Sequence, residues 1–495
     1  MLQNIDWHTR AKAVKLPDRP FIDGKYVDSF SGETFACVYP GDGRVLAQIA
    51  LCNEGDVDTA VRSARRAFDS GVWSRMAPAD RRRILLRFSE LILANREELA
   101  LLETLNVGKP IANAYNGDVV SAAGCIAWYA EAIDKVYGEV AATAHDMTTL
   151  VVREPVGVVA AVVPWNYPMS MAAWKLGPAL ATGNSVILKP AEQSPFTALK
   201  FGELAIEAGI PPGVLNVVPG LGHITGKALG LHMDVDCVGF TGSTEVGKYF
   251  MQYSGQSNIK RIGLELGGKS PQVVLADCDD LDAAAAGIAA GIFANTGQVC
   301  NAGSRLIVDR KVRDALLEKI AAHAKAYAPG DPLDPATRMG SLVSEEQMDR
   351  VLGYIDAGRA DGANAMIGGN RVRTETGGFF IEPTVFDGVR NDMKIAQEEI
   401  FGPVLSAITV NGFDEAMEVA NDTIYGLAGA VWTGSVKNAH RAAKAIRAGV
   451  VWVNCFDRGS LAVPFGGFKQ SGFGRDKSLH AMDKYTDLKA VWFAH

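Results

Sequence analysis

The chain has 495 residues, 48% of them hydrophobic and 21% charged, with 49 basic against 56 acidic side chains and a formal net charge of −7. That length exceeds one ordinary core and predicts about two to four domains. The acidic excess, scattered along the chain, argues against a nucleic-acid-binding surface, and apolar runs such as Val158 to Val163 are far too short for a membrane span.

The N-terminus, Met1-Leu-Gln-Asn-Ile-Asp-Trp7, has no basic flank ahead of an apolar stretch, so no signal peptide is expected. The cysteines (Cys37, Cys52, Cys125, Cys237, Cys278, Cys300 and Cys455) are odd in number and widely spread, with no C-x-x-C. Neither a disulfide framework nor a metal site is suggested, and the expected location is a reducing cytoplasm.

In chain order, a strand hairpin is expected over Pro20 to Val27, turned at Asp23-Gly24. Apolar periodicity then predicts helices over Glu54 to Ser70, Ala79 to Asn95, Glu97 to Asn106 and Asp118 to Val136. From Thr148 short apolar strands alternate with helices. Strands are expected at Val158 to Val163, Ser185 to Leu188, Val214 to Val218 and Val235 to Phe240. Helices are expected at Met171 to Thr182, Phe196 to Ala208, Gly222 to Leu231 and Ser243 to Ser254. A second series starts near Pro271 and continues through Val451-Trp-Val-Asn454. This alternation predicts an α/β protein with two doubly wound parallel-sheet domains, the first housing a cofactor and the second carrying Cys300. Ligands on such sheets bind at the carboxyl ends of the strands.

Three glycine-rich turns follow strands. Gly220-Leu-Gly222-His-Ile-Thr-Gly226 resembles a dinucleotide fingerprint with its last glycine one residue late. Gly242-Ser-Thr-Glu-Val-Gly247-Lys248 approaches a phosphate-binding loop but has Tyr249 where a Ser or Thr should stand. Gly263-Leu-Glu-Leu-Gly-Gly268-Lys269-Ser270 matches that pattern in full, yet Pro271-Gln-Val-Val274 reads as a strand, leaving no helix to face a phosphate. A P-loop nucleotidase is therefore the outsider. The turn at Ser243 does lead from strand to helix, so its backbone N–H groups suit a pyrophosphate as well as a plain turn.

Cys300 stands among Gly297, Gln298, Asn301, Ala302 and Gly303, residues too small or polar for an ordinary core. Small neighbours leave room for a reacting sulfur, although most free cysteines are inert and buried.

Together the motifs resemble the aldehyde dehydrogenase family over essentially the whole chain. In family order they are Pro164-Trp165-Asn166-Tyr167-Pro168, Leu188-Lys189-Pro-Ala-Glu192, Phe240-Thr-Gly-Ser243, Leu264-Glu265-Leu-Gly-Gly-Lys269, Gly297-Gln-Val-Cys300, Glu398-Glu399-Ile-Phe401-Gly-Pro403 and Pro464-Phe-Gly-Gly467. The resemblance implies oxidation of an aldehyde to a carboxylic acid through a Cys300 thiohemiacetal and thioester. It implies that Asn166 and the Cys300 N–H stabilise the oxyanion and that Glu265 is the general base. Lys189 and Glu192 would hold the adenosine ribose, and a carboxylate there favours NAD while leaving NADP possible. Gly222 belongs to the same cofactor set, Ser243 would contact the pyrophosphate, and Trp165 would lie near the cofactor's entry. Glu399 would take the nicotinamide ribose, with Phe401 near the ring. Glu265 argues for water rather than coenzyme A as acyl acceptor.

The chain looks most like bacterial enzymes that oxidise γ-glutamyl-aminobutyraldehyde or 4-guanidinobutyraldehyde in polyamine and arginine breakdown. Trp128 to Glu139 and Gly474-Arg-Asp-Lys-Ser-Leu-His-Ala481 carry that kinship. Asp118 would receive a cationic amine or simply cap a helix. Tyr167, Trp174 and Phe456 match the aromatic positions of the family's substrate tunnel, and aromatic faces suit alkyl chains and cations alike. Those relatives carry an acidic-Met pair where this chain has Ser460-Leu461, and an inward Arg458 would oppose a cation. A broad aliphatic or aromatic aldehyde specificity therefore stays open.

The resemblance divides the chain into an NAD-binding domain (1–136 and 155–263), a catalytic domain (264–466) and a small β oligomerisation arm (137–154 and 480–495). It implies a homotetramer built from dimers.

Overall fold

The computed structural model describes residues 2–495. An eight-stranded sheet runs in the order Lys25–Tyr26, Phe21–Ile22, Leu215–Val217, Ser185–Lys189, Val158–Val162, Cys237–Thr241, Arg261–Glu265 and Gly472–Phe473. Its five central strands are parallel, with antiparallel pairs at both edges. Strand order reverses between Val158–Val162 and Cys237–Thr241, which creates the crevice where open α/β sheets bind ligands.

The period-two alternation of a strand sends successive residues to opposite faces, and here both faces are covered. Val159, Ala161, Val186 and Leu188 pack against helices Pro78–Ala94, Val119–Ala132, Pro168–Ala181 and Phe196–Ala208. Val158, Ala160, Ile187 and Val238 pack instead against Val57, Val61 and Ala64 of helix Glu54–Ser70. That helix begins in a capping box, where the Asn53 side chain accepts from the N–H groups of Gly55 and Asp56 while Asp56 accepts from the Asn53 N–H.

A second, seven-stranded sheet runs Asn364–Ile367, Thr384–Asp387, Val404–Val410, Arg305–Asp309, Pro271–Val274, Ala428–Trp432 and Val450–Val453, all parallel except the first. Helices Leu281–Phe293 and Arg313–Ala324 cover one face, and Phe413–Asn421 and Val436–Ala445 the other. A three-stranded antiparallel sheet stands apart, with Met147–Pro155 between Glu139–Ala141 and Thr486–Ala494.

Several local expectations are revised. The expected helix at Gly222 opens as a π turn, Gly222–Gly226, before Lys227–Leu231. Asp118 closes another π turn, Ala114–Asp118, and makes no capping hydrogen bond to Val119–Ala132. A bulged hairpin, Thr34–Val38 with Val45–Ala50, was not foreseen. The full phosphate-loop pattern ends at Ser270 and runs directly into strand Pro271–Val274, so no helix N-terminus faces it.

Candidate active site

A cavity of about 480 Å³ lies between the two large sheets. The first sheet meets it with its carboxyl edge. Trp165 and Asn166 follow strand Val158–Val162, Gly242 and Ser243 follow Cys237–Thr241, and Glu265 ends Arg261–Glu265. The second sheet turns mostly the opposite edge inward, contrary to the expectation for such sheets. Cys300, Glu399 with Phe401, and Leu427 stand on the loops entering Arg305–Asp309, Val404–Val410 and Ala428–Trp432. The amino ends of one sheet thus face the carboxyl ends of the other.

The loop to Cys300 is strained into place. Asn295, Thr296 and Gly297 have successive positive φ angles of 50°, 56° and 71°, each costly for a non-glycine residue. Gln298 holds the loop: its side-chain oxygen accepts from the Val343 N–H at 3.0 Å, and its carbonyl accepts from Asn295 Nδ2 and Asn166 Nδ2. Asn166 is buried, and its second Nδ2 hydrogen remains for the cavity it lines. Burial, with lesser contributions from Glu399, Glu265 and Asp457, pushes the Cys300 thiol up to about 12. The resting sulfur is therefore protonated at neutral pH.

Glu265 is buried, and neither carboxylate oxygen has a hydrogen-bond partner. Burial, then the neighbouring Asp476, raise its pKa well above the carboxylate range against the pull of Lys175, Lys484 and Arg475. A carboxyl with no donor and no water-like dielectric keeps its proton until a partner takes it. Behind it, Asp476 is clamped between Lys175 Nζ at 2.5 Å and Lys484 Nζ. This cluster was not foreseen from sequence. Its one legible sign was Lys175 itself, a lone charge in the apolar helix Pro168–Ala181.

On the other side of the cavity, Trp165 and Phe401 meet edge to face with centroids 5.2 Å apart, and Phe401 sits at φ 57°. Ser243 caps helix Thr244–Gln256 by accepting from the Val246 N–H at 3.2 Å, so its hydroxyl proton is free to donate. Thr241 Oγ1, buried at the same turn, has no partner. Glu399 accepts from the Gly268 N–H at 3.0 Å, and burial lifts its pKa to about 7. Lys189 and Glu192 lie outside the main cavity, at the carboxyl end of Ser185–Lys189, with Nζ and Oε2 3.6 Å apart. Gly222 lies beyond the cavity, where an added Cβ would meet nothing within 4 Å. Free donors at a helix N-terminus near a strand switch, with a carboxylate two strands away, fit a dinucleotide.

The substrate-side expectations divide. Tyr167 and Trp174 line the cavity, joined by Phe465, whose ring stands 5.4 Å from that of Trp174. Phe456 instead packs on Trp452 at 4.8 Å, and its neighbour Asp457 faces the cavity. Asp118 lines the cavity but is already engaged by Lys109 Nζ at 2.6 Å, an ammonium that also lies 3.8 Å from the centre of the Tyr167 ring. The cation expected at Asp118 is thus supplied by the chain itself. Arg458 is exposed and does not line the cavity.

A model described as "Aldehyde dehydrogenase family" matches residues 26–491. The chain belongs to the aldehyde dehydrogenase family. It is thus an oxidoreductase acting on the aldehyde group. Among its aldehyde dehydrogenase relatives, the NADP/NAD-dependent PuuC of Escherichia coli (strain K12) is 48% identical over 488 residues, 99% of this chain and 98% of PuuC. The solved gamma-glutamyl-gamma-aminobutyraldehyde dehydrogenase from Burkholderia cenocepacia J2315 is 58% identical, with a TM-score of 0.97 and 99% of each chain covered. The indole-3-acetaldehyde dehydrogenase AldA of P. syringae, solved as a cysteine-to-alanine mutant with NAD+ and IAA, is also 58% identical, with a TM-score of 0.98 and 99% of each chain covered. No helix among the described residues of this aldehyde dehydrogenase is long and apolar enough to cross a membrane.

Proposed function

We propose that this aldehyde dehydrogenase oxidises amino- or guanidino-aldehydes of polyamine and arginine breakdown with NAD. The observation that carries the chemistry is one cavity shared by the Cys300 thiol, the Asn166 amide and the donor-free Glu265 carboxyl. The thiol passes its proton to the deprotonated form of Glu265, or to water, as its sulfur bonds to the aldehyde carbon. Asn166 Nδ2 and the Cys300 N–H then hold the oxyanion; losing one such donor costs about 10²–10³ in rate. NAD held by this site would supply the hydride acceptor. Cys300 keeps the acyl group as a thioester, and Glu265, once deprotonated, takes a proton from the water that cleaves it.

For the cofactor, Glu192 and Lys189 are read as the ribose contact, with Gly222 beside it. Ser243 is read as the pyrophosphate donor, Glu399 as the nicotinamide-ribose acceptor, and Trp165 with Phe401 as the walls. The carboxylate of Glu192 disfavours a 2′-phosphate, which supports NAD over NADP. The amino-aldehyde reading draws on the Burkholderia relative's described substrate. A second reading, an aromatic aldehyde, draws on the P. syringae enzyme and on the Tyr167, Trp174 and Phe465 walls.

We further infer a chain organised as an NAD-binding part (1–136 and 155–263), a catalytic part (264–466) and an oligomerisation arm (137–154 and 480–495). The edge strand Thr486–Ala494 exposes Leu488, Trp492 and Phe493, which supports assembly through this sheet into a homotetramer. All the cysteines among the described residues are free, which fits a reducing cytoplasm. The deciding measurement is kcat/KM with NAD and NADP across γ-glutamyl-aminobutyraldehyde, 4-guanidinobutyraldehyde, linear aldehydes and indole-3-acetaldehyde. The reading expects the amino- and guanidino-aldehydes to rank first with NAD; indole-3-acetaldehyde ranking first would replace it with the aromatic one.

A further inference from the structure

Lys477 is placed by a segment whose other parts are all tied down. Asp476 is locked between Lys175 and Lys484, and its backbone exchanges two 2.8 Å hydrogen bonds with Phe465. On the other side the Ser478 N–H donates to the Leu461 carbonyl at 2.7 Å, and the Ser478 carbonyl accepts from Tyr129 Oη at 3.1 Å. Between these anchors Lys477 and Ser478 both hold positive φ, 58° and 51°. Two adjacent non-glycine residues in that region persist only where the surroundings force them, and such strain gathers at ligand clamps.

The Lys477 side chain lines the cavity that holds Cys300. Its Nζ lies 4.3 Å from the centre of the Trp174 ring and 5.3 Å from that of Phe465, and all three residues line the cavity. Among the described residues no carboxylate pairs with it and no acceptor receives its hydrogens. Asp457 lines the same cavity, on the loop whose Gly459 would place an added Cβ 3.4 Å from Lys477 Nζ. Asp457 Oδ1 accepts from Asn301 Nδ2 at 2.8 Å, which leaves Oδ2 open. An ammonium and a carboxylate therefore face one space without closing on each other. Each charge acts on the other, yet no hydrogen bond or ion pair joins them, and the capacity of both is left for a ligand in the cavity they line.

We propose that Lys477 and Asp457 receive the tail of the aldehyde, Lys477 binding a carboxylate and Asp457 an ammonium, so that the preferred substrate ends in a zwitterionic α-amino-acid group. The inference rests on the aldehyde-oxidising reading above and selects within its substrate class. A tail bearing only an ammonium meets Lys477 as a like charge; an uncharged tail leaves both groups unanswered.

The test compares kcat/KM for four aldehydes of matched length, ending in an α-amino-acid group, an ammonium, a carboxylate or a methyl group. The wild-type enzyme should favour the amino-acid tail. Lys477→Met should lower the ratio of amino-acid to methyl tail by about tenfold or more, while Lys477→Arg keeps it. Asp457→Asn should lower the ratio of amino-acid tail to a tail bearing a carboxylate alone. NAD affinity by protein fluorescence checks that each variant is folded, and Asp457→Asn carries the test if Lys477→Met is not. Variants that shift all tails alike would overturn this inference alone. A wild-type enzyme that oxidises none of the four would overturn the functional reading instead.

Discussion

Gly268 lies against the backbone of Cys300: a Cβ added to Gly268 would stand 2.5 Å from the Cys300 carbonyl oxygen and 3.2 Å from the Leu427 Cβ. The glycine is there for close approach, and the approach fixes the height of the thiol loop over the end of strand Arg261–Glu265. Gly268→Ala should push that loop outward. A displacement near 1 Å costs about 10² in rate, so kcat should fall by about that factor while NAD affinity holds. Stopped-flow acylation rates beside NAD titration would test it; unchanged acylation would refute the loop-height argument.

Glu265 should reveal its held proton twice. Because burial raises its pKa, the base form is scarce at neutral pH, and deacylation should accelerate as pH rises. Glu265→Gln should lower kcat by about 10²–10⁴ and let the thioester accumulate, visible by intact-mass spectrometry.

The same shift bears on stability. Above the ordinary glutamate pKa the unfolded chain releases this proton while the folded chain keeps it, so native stability falls as pH rises between the two values. Glu265→Gln removes that penalty. Its melting temperature should therefore gain on the wild type as pH rises above the ordinary glutamate pKa, and a pH-independent difference would contradict the assignment.

Asp476 gives the opposite sign. Burial alone would raise its pKa, but Lys175 and then Lys484 outweigh burial and leave it lowered. Its stabilisation is present above the unfolded value and is lost as pH falls through the folded one. Asp476→Asn strands one buried and one half-buried ammonium group and should cost about 3–5 kcal/mol near neutrality. Denaturant titration should show that deficit shrinking below pH 4.

How much of this was legible depended on distance along the chain. Helix Phe196–Ala208 was readable to the residue, with Gly209 ending it at φ 99°, and Ser243, expected as the first residue of its helix, stands one residue ahead of it as the cap. The Ser270-Pro271 junction exposed the false phosphate loop because a strand signal follows locally. The cluster behind Glu265 was not readable, since Lys175 and Asp476 are 301 residues apart and only the fold joins them. The partner of Asp118 is hidden for a related reason. Lys109 is near in sequence, but nothing local says that its ammonium turns back across a π turn to occupy that carboxylate. Phe456 and Asp457 are adjacent, and which of the two faced the cavity depended on packing against Trp452.

Strand Gly472–Phe473 returns from beyond the entire second sheet to pair antiparallel with Leu264 and Glu265. The first sheet is therefore stitched shut by chain drawn from both sides of the second. Excising the second sheet's segment, or ending the chain before Gly472, would strip Glu265 of its edge neighbour and leave a raw strand beside the catalytic carboxyl. The two sheets are separate surfaces but one knot of sequence, and neither half is a module that can be borrowed without the other.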